Sequence, residues 1–319
     1  MGPLVYSYSL SRDGNHQKIN TMPDEFHENE FYWFHLSANH KKSIEWLEHH
    51  TDMSDVAINM LTSKNTRPNV VKFPNGLLIT FRAVNTSEDD SGDVFNAINI
   101  WISEHYILTS RNIKIMAISD IATMIDDGDG PRTKGEFLVQ LIHHLQKRIS
   151  QVVRDVESQT EALEEEVLNR EHKDIRTKIL SHRKLIVQIR KYLVPQRETL
   201  QTLTHEKFLF LHEDSIIAIR YYYDKMVRLV EELDIAKEHV LLIQEEIVNI
   251  QNDLMNRSMY RISIISALFL PLGFITGLLG VNIGGVPGIE NSNAFMILSF
   301  ISGIYLILST LYFVIQKRL

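Results

Sequence analysis

Three stretches of this 319-residue chain group side chains that can ligate a metal: Glu48-His49-His50 with Asp52, His143-His144, and His212-Glu213-Asp214. Imidazoles and carboxylates so close together suit Zn2+, although each group more often marks a solvated helix face. The chain has no cysteine, which excludes disulfides, thiolate metal sites and a Cys nucleophile. It also lacks G-x-G-x-x-G, G-x-x-x-x-G-K-[ST] and H-E-x-x-H, so neither a nucleotide cradle nor a metalloprotease site is anchored, and no resident cofactor is expected. A second kind of chemistry is written nearer the C-terminus. Ser263, Ser266, Gly273, Gly277 and Gly280 follow one another at spacings of 3, 7, 4 and 3, and Asn256, Met259 and Leu270 complete a heptad-like stripe. Ile262, Ile264, Ile265, Phe269, Phe274 and Ile275 fall on the opposite faces. Small residues on one stripe either let helices approach closely or leave room for hydrated ions along a pore wall, and spacing alone leaves both readings open. Pro271 has no N–H for the Ala267 carbonyl, which serves either.

The element that must carry this stripe is a membrane span. Ile262 to Leu279 is 18 residues without a charge, and Ala294 to Ile315 is 22 more. As helices they rise about 27 and 33 Å, matching a hydrocarbon core of about 30 Å. The last 59 residues hold four formal charges (Arg261, Glu290, Lys317 and Arg318), which leaves 30 of the 33 basic and 39 of the 40 acidic side chains to the first 260. A net charge of −7 argues against a nucleic-acid partner. Arg257 and Arg261 precede the first span, Lys317 and Arg318 follow the second, and 280–293 contains no Lys or Arg. The positive-inside rule then places both termini in the cytoplasm and the 14-residue loop outside. No apolar signal segment opens the chain, so the acidic body is expected to stay cytoplasmic.

From Glu136 to Leu272 there is no glycine, and helix formers dominate. The pattern predicts long helices at about 136–169, 173–211 and 214–279, the last running unbroken toward the membrane as a stalk packed against copies of itself. The first 130 residues differ. Phe31–Leu36, Asn69–Phe73, Leu77–Arg82, Phe95–Ile102 and Tyr106–Ser110 read as strands, with Ser43–His50 and Ser119–Asp126 helical, and a Gly/Asp-rich linker at 126–135 closes the lobe. The expected organisation is an α/β lobe (1–130), a long-helix bundle and stalk (131–261), a first span (262–279), an outer loop (280–293), a second span (294–315) and a tail (316–319). The fold class is α+β with two C-terminal transmembrane helices.

Gly280-Val281-Asn282 ends the first span and Ile283-Gly284-Gly285-Val286-Pro287-Gly288 follows. A Gly-x-Asn in this place resembles the CorA superfamily of divalent-cation transporters, and the Gly-Val-Asn form is similar to its ZntB zinc-transport branch. The likeness continues through Trp33-Phe34-His35-Leu36 with Glu45-Trp46-Leu47, Thr66-Arg67-Pro68, Leu77–Asn85, His182–Glu198 and Phe269–Gly277, covering roughly residue 30 to the C-terminus. The resemblance implies a funnel-shaped homopentamer in the bacterial inner membrane, with five first spans around a pore and the second spans against lipid. It puts Gly280, Val281 and Asn282 at the outer mouth as an entry filter for a hydrated cation. Aligned on Pro271, Gly277, Gly280 and Asn282, the family's pore positions fall on Asn256, Met259, Ile262, Ser266, Leu270, Gly273 and Gly277, with Ser263 on the same stripe. Where the family carries a hydroxyl constriction this chain has Gly273, which implies a wider pore. Five copies of Glu290, the only loop carboxylate, would gather cations before entry; otherwise it is a solvated loop residue.

The cargo so implied is Zn2+ taken up with protons, with Ni2+ and Cd2+ as further cargo and a Mg2+/Co2+ channel as the alternative. Neither span holds an Asp, Glu, His, Lys or Arg, so neither a proton relay nor dehydrated zinc coordination follows from the residues themselves. A two-span signalling or scaffold protein is a competing class, but 14 residues between the spans is short for a sensor. An enzyme with a membrane anchor has no recognisable catalytic constellation here and ranks last.

Overall fold

The computed structural model describes residues 3–316 except 24, 28, 41, 65, 86–93, 170–173, 282, 284, 285, 287, 289 and 290. They divide into two units, Met1–Gln244 and Glu245–Leu319.

The first unit is built on a seven-stranded sheet. In chain order its elements are β1 (Leu4–Ser11), β2 (His16–Lys18), β3 (Glu30–Ser37), α1 (Ser43–His50), α2 (Asp55–Thr62), β4 (Asn69–Phe73), β5 (Gly76–Val84), β6 (Phe95–Ile102), β7 (Tyr106–Arg111), α3 (Met116–Asp126), α4 (Lys134–Leu168) and α5 (Ile175–His205). Helix α6 (Glu213–Leu279) starts in this unit. The strand order is β2-β1-β3-β7-β6-β5-β4, with β3 and β7 parallel and the other pairs antiparallel. Residues Leu77 to Ala83 of β5 are all buried, because helices cover both faces of the central strands. That double cover is why these strands read as continuous apolar runs instead of alternating ones. On one face Phe34, Leu36, Leu78 and Trp101 pack with Leu47 of α1 and Leu61 of α2. On the other, Trp33 meets Phe137 of α4 with ring centroids 5.0 Å apart.

Polar contacts fasten the long helices to this sheet. Gln196 of α5 accepts a hydrogen bond from the Arg82 backbone N–H of β5 at 2.6 Å, and the Arg82 guanidinium lies 4.3 Å from the Tyr192 ring centre. Helix α4 opens on a side-chain cap: the Thr133 side chain accepts from the Glu136 N–H, and the Glu136 carboxylate reaches back to accept from the Arg132 N–H at 2.7 Å, one residue before the cap. At the β4–β5 turn, any Cβ on Gly76 would lie 2.6 Å from the Trp101 indole, so only glycine fits.

The five expected strands and both short helices are present, and α4 and α6 lie within two residues of their expected ends. Strands β1 and β2 and helix α2 were not expected. Leu4–Ser11 carries three serines and earns its strand from pairing with β3 along its length. Asp55–Thr62 is only eight residues, held by the Ser54 cap and by burial of Ala57, Ile58 and Leu61. Helix α5 stops at His205, short of the expected 211, and Glu206 is extended. There the Glu206 carboxylate pairs with Lys72 of β4 at 2.6 Å, and the Lys72 ammonium sits 4.8 Å from the Phe208 ring centre.

His35 is fully buried on β3, with Nδ1 2.7 Å from the Thr109 hydroxyl and the Tyr6 ring 5.8 Å away. Burial, followed by the positive charge of Arg111, holds its pKa well below the usual 6.5. The unfolded chain therefore binds a proton that the folded chain refuses, and stability is complete above about pH 6.5 and falls as pH drops toward the folded-state value. His143, His144 and His182 are lowered by burial as well and act with the same sign. The thermal midpoint between pH 7 and 5 is expected to fall less steeply in His35→Gln than in the parent. The difference should be no more than one proton's worth, about 1.4 kcal/mol per pH unit.

Candidate functional site

In the second unit α6 runs through Pro271 to Leu279 and faces α7 (Ala294–Gln316). Both helices are long and apolar enough to cross a membrane. Ile264, Leu268, Pro271 and Leu272 of α6 are half-covered, as are Leu298, Ser302, Tyr305, Leu306 and Ser309 of α7, which defines the face each turns toward the other. At about 100° per residue, the stripe from Asn256 through Ser263, Ser266, Leu270, Gly273 and Gly277 lies half a turn away from that covered face. Every residue of the stripe is exposed, as is Ile262, and Leu270 keeps 72% of its surface. A Cβ built on Gly273 or Gly277 would meet nothing within 4 Å. The small residues therefore do not serve packing inside the chain. They leave an open, weakly polar face on a helix whose other flanks carry Phe269, Phe274 and Leu278.

Pro271 interrupts the hydrogen-bond ladder without ending the helix. It removes the donor that would serve the Ala267 carbonyl. That carbonyl instead accepts a hydrogen bond from the Tyr305 hydroxyl of α7 at 2.9 Å. Tyr305 is the residue of this region that reading the sequence missed. The available signal was a tyrosine inside an apolar span opposite a proline that orphans a carbonyl.

Helix α6 closes where the Gly280 N–H reaches the Thr276 and Gly277 carbonyls at 2.9 and 3.2 Å. Val281 follows, exposed, and Asn282 and Glu290 lie outside the described residues. Gly288 has φ +93°, a conformation that favours glycine. The Asn291 N–H then bonds the Gly288 carbonyl, and the Asn291 side chain accepts from the Asn293 N–H at the start of α7.

The three histidine groups do not assemble as metal sites. His49 and His50 bond through Nδ1 to the Glu45 and Trp46 carbonyls at 2.6 and 2.9 Å, and Asp52 accepts from the Tyr106 hydroxyl. His143 bonds Tyr222 at 3.0 Å, while His144 sits 3.1 Å from Asp120, a carboxylate already paired with Arg148 at 2.7 Å. His212, Glu213 and Asp214 are exposed at the head of α6. A cleft of about 1240 Å³ at one end of the sheet brings His49, His50, Asp52 and His212 onto its walls, with Glu30, Glu104 and His105, but Arg12, Lys72, Arg132, Lys134 and Lys207 line it too. Among the described residues no three His, Cys, Asp or Glu side chains are placed to share one ion. Each Nδ1–H donated to a helix carbonyl holds its ring against its own helix, and local bonding of this kind disperses ligands that sequence proximity seemed to gather.

Residues 28–318 match the family described as CorA-like Mg2+ transporter protein. The chain is 30% identical over 292 residues to a zinc transport protein ZntB of Yersinia enterocolitica, covering 91% of this chain and 88% of the relative. It is 30% identical over 284 residues to a protein of the same name from Pectobacterium carotovorum, covering 89% and 86%. Among solved structures, the full-length CmaX protein superposes with a TM-score of 0.81 at 25% identity, over 98% of this chain and 97% of that one. The CorA magnesium transporter of Methanocaldococcus jannaschii does so with a TM-score of 0.85 at 18% identity, over 97% of each, a likeness of fold.

Proposed function

The chain belongs to the CorA-like Mg2+ transporter family, and on that premise we propose that it moves divalent cations, Zn2+ foremost, across the bacterial inner membrane. The observation that carries the reading is the open face of α6: a stripe of small and weakly polar residues pointing away from α7, with no partner among the described residues. In this reading five copies set their α6 faces around one axis, and Asn256, Met259, Ile262, Ser263, Ser266, Leu270, Gly273 and Gly277 line the path. The α7 helices stand outside, against lipid. The same heptad register supports self-association beyond the membrane part, since the exposed Tyr221, Ile235 and Leu242 of α6 precede Asn256 by multiples of seven.

A path with no charged or imidazole side chain suits a cation that keeps much of its water shell. Dehydrated zinc would demand His, Cys or carboxylate ligands, and the spans hold none. Selection then falls to the mouth, where Gly280, Val281 and Asn282 form the entry and Asn282 amides hydrogen-bond the water around the ion. Glu290 in five copies raises the local cation concentration. The Lys and Arg flanking the spans orient both termini to the cytoplasm, and membrane potential then favours uptake of a dication. Zn2+ is preferred over Mg2+ and Co2+ because the loop is Gly-Val-Asn and because the 30%-identical relatives are named zinc transport proteins. Uptake coupled to protons, with Ni2+ and Cd2+ also carried, completes the proposal. Its proton carrier lies outside the spans, which have no titratable acid or base of the right range.

Purified protein in liposomes is expected to take up Zn2+, faster with an inward proton gradient, and Asn282→Ala should lower the rate about tenfold or more. Uptake of Mg2+ and Co2+ alone would sink the zinc assignment, and a rate indifferent to the gradient would remove proton coupling. Gly277→Trp on the open face is expected to abolish most uptake, while Leu311→Trp, exposed on the opposite side of α7, should leave it within about twofold of the parent. Equal effects of the two would remove the stripe from the path.

A further inference from the structure

Two polar groups in the second unit have each lost their ordinary partner and found the other. The Ala267 carbonyl lacks a helical donor because Pro271 stands four residues on. The Tyr305 hydroxyl lies near the middle of a 23-residue apolar helix that has no charged side chain along its length. They meet at 2.9 Å, hydroxyl donating to carbonyl. In hydrocarbon an unpaired backbone carbonyl is costly, and a buried tyrosine hydroxyl needs an acceptor. The pairing is thus mutual, and it joins the two spans at the one point where α6 has lost a rung of its own ladder.

We propose that Tyr305 is a positioning residue for the cation path: its hydrogen bond to Ala267 sets the course of α6 through Pro271 and so fixes where Ser266 and Leu270 stand. Ala267 follows Ser266 directly and Leu270 precedes the proline, so both residues of the open face are carried by the segment that the bond restrains. Helix α7 lines nothing in this account, yet it acts on the lining through one hydroxyl. With the bond made, α6 is braced. With it broken, the carbonyl is left unpaired and the helix is free to bend at Pro271 until another donor serves it. The inference rests on the reading that the open face of α6 lines the path.

A double-mutant cycle on the full-length protein in liposomes tests it. Tyr305→Phe keeps the ring and removes only the hydroxyl, and it is expected to lower the Zn2+ uptake rate about three- to tenfold, the scale of one hydrogen bond between membrane helices. Pro271→Ala returns an N–H to the Ala267 carbonyl. In that background the further change Tyr305→Phe should lower neither the uptake rate nor the thermal midpoint. A purely packing role for Tyr305 would persist in both backgrounds, and equal effects in the two would overturn the proposal, as would a fully active Tyr305→Phe in the Pro271 protein. Should Pro271→Ala abolish uptake by itself, the same cycle on the thermal midpoint decides: coupling between the two positions supports the bond, and additivity removes it. The path reading fails separately, through a Gly277→Trp protein that still transports normally while the midpoint cycle shows coupling.

Discussion

A cation entering hydrocarbon must be handed ligands or keep its own water, and α6 has no charged or imidazole side chain from Ile262 to Leu279. That single lack governs the rest of the membrane part. On the proposed path nothing replaces the water shell, so its wall would have to be roomy and mildly polar, as the serines and glycines on one face of α6 are. A single helix cannot enclose such a path, and α7 does not help, because it covers the opposite face. In the proposed assembly enclosure comes from further copies, and the heptad spacing of the open face is a geometry by which identical helices can meet. The backbone obeys the same constraint. Hydrocarbon tolerates no orphan carbonyl, so the proline that breaks one rung of α6 comes with a hydroxyl from α7 to mend it.

The first unit meets a different demand. Helices α4 and α5, with few charges on their inner faces, need an anchor, and the doubly covered sheet provides it through Trp33 on Phe137 and through Gln196 and Tyr192 on Arg82. The side-chain cap at Thr133 and the Lys72–Glu206 pair fix where helices start and stop. These are short-range devices. They set the direction of long elements at little cost in buried charge, since most of the ion pairs sit at exposed or half-exposed sites where each contributes about 1 kcal/mol or less.

Elements with a strong period were legible from residues alone. Phe31–Leu36 and Phe95–Ile102 are long apolar runs, and the glycine-free stretch after Gly135 has no competing conformation. Leu4–Ser11 was not legible, because its strand state is imposed by pairing with β3 and its serines point as readily to a loop. The end of α5 escaped for the same reason: an ion pair and a ring contact from β4 turn the chain at Glu206, and both are remote in sequence. At the candidate site the open stripe was visible as spacing, although its direction relative to α7 required the fold. The histidine groups misled because adjacency in sequence places ligands on different sides of a helix, where each found a local carbonyl or hydroxyl. Tyr305 was hidden in a different way, since its partner is a backbone atom exposed by a residue in the other span.

The absence of cysteine makes the central claim directly accessible. Single cysteines placed in turn at each position from 256 to 280, reacted from the water phase with a membrane-impermeant thiol reagent, report which face of α6 meets water in the assembled protein. The account predicts labelling that peaks at Ser263, Ser266, Leu270, Gly273 and Gly277, slows when Zn2+ is present, and is absent at Ile264, Leu268 and Leu272. Labelling without that period, or strongest on the face toward α7, would contradict it.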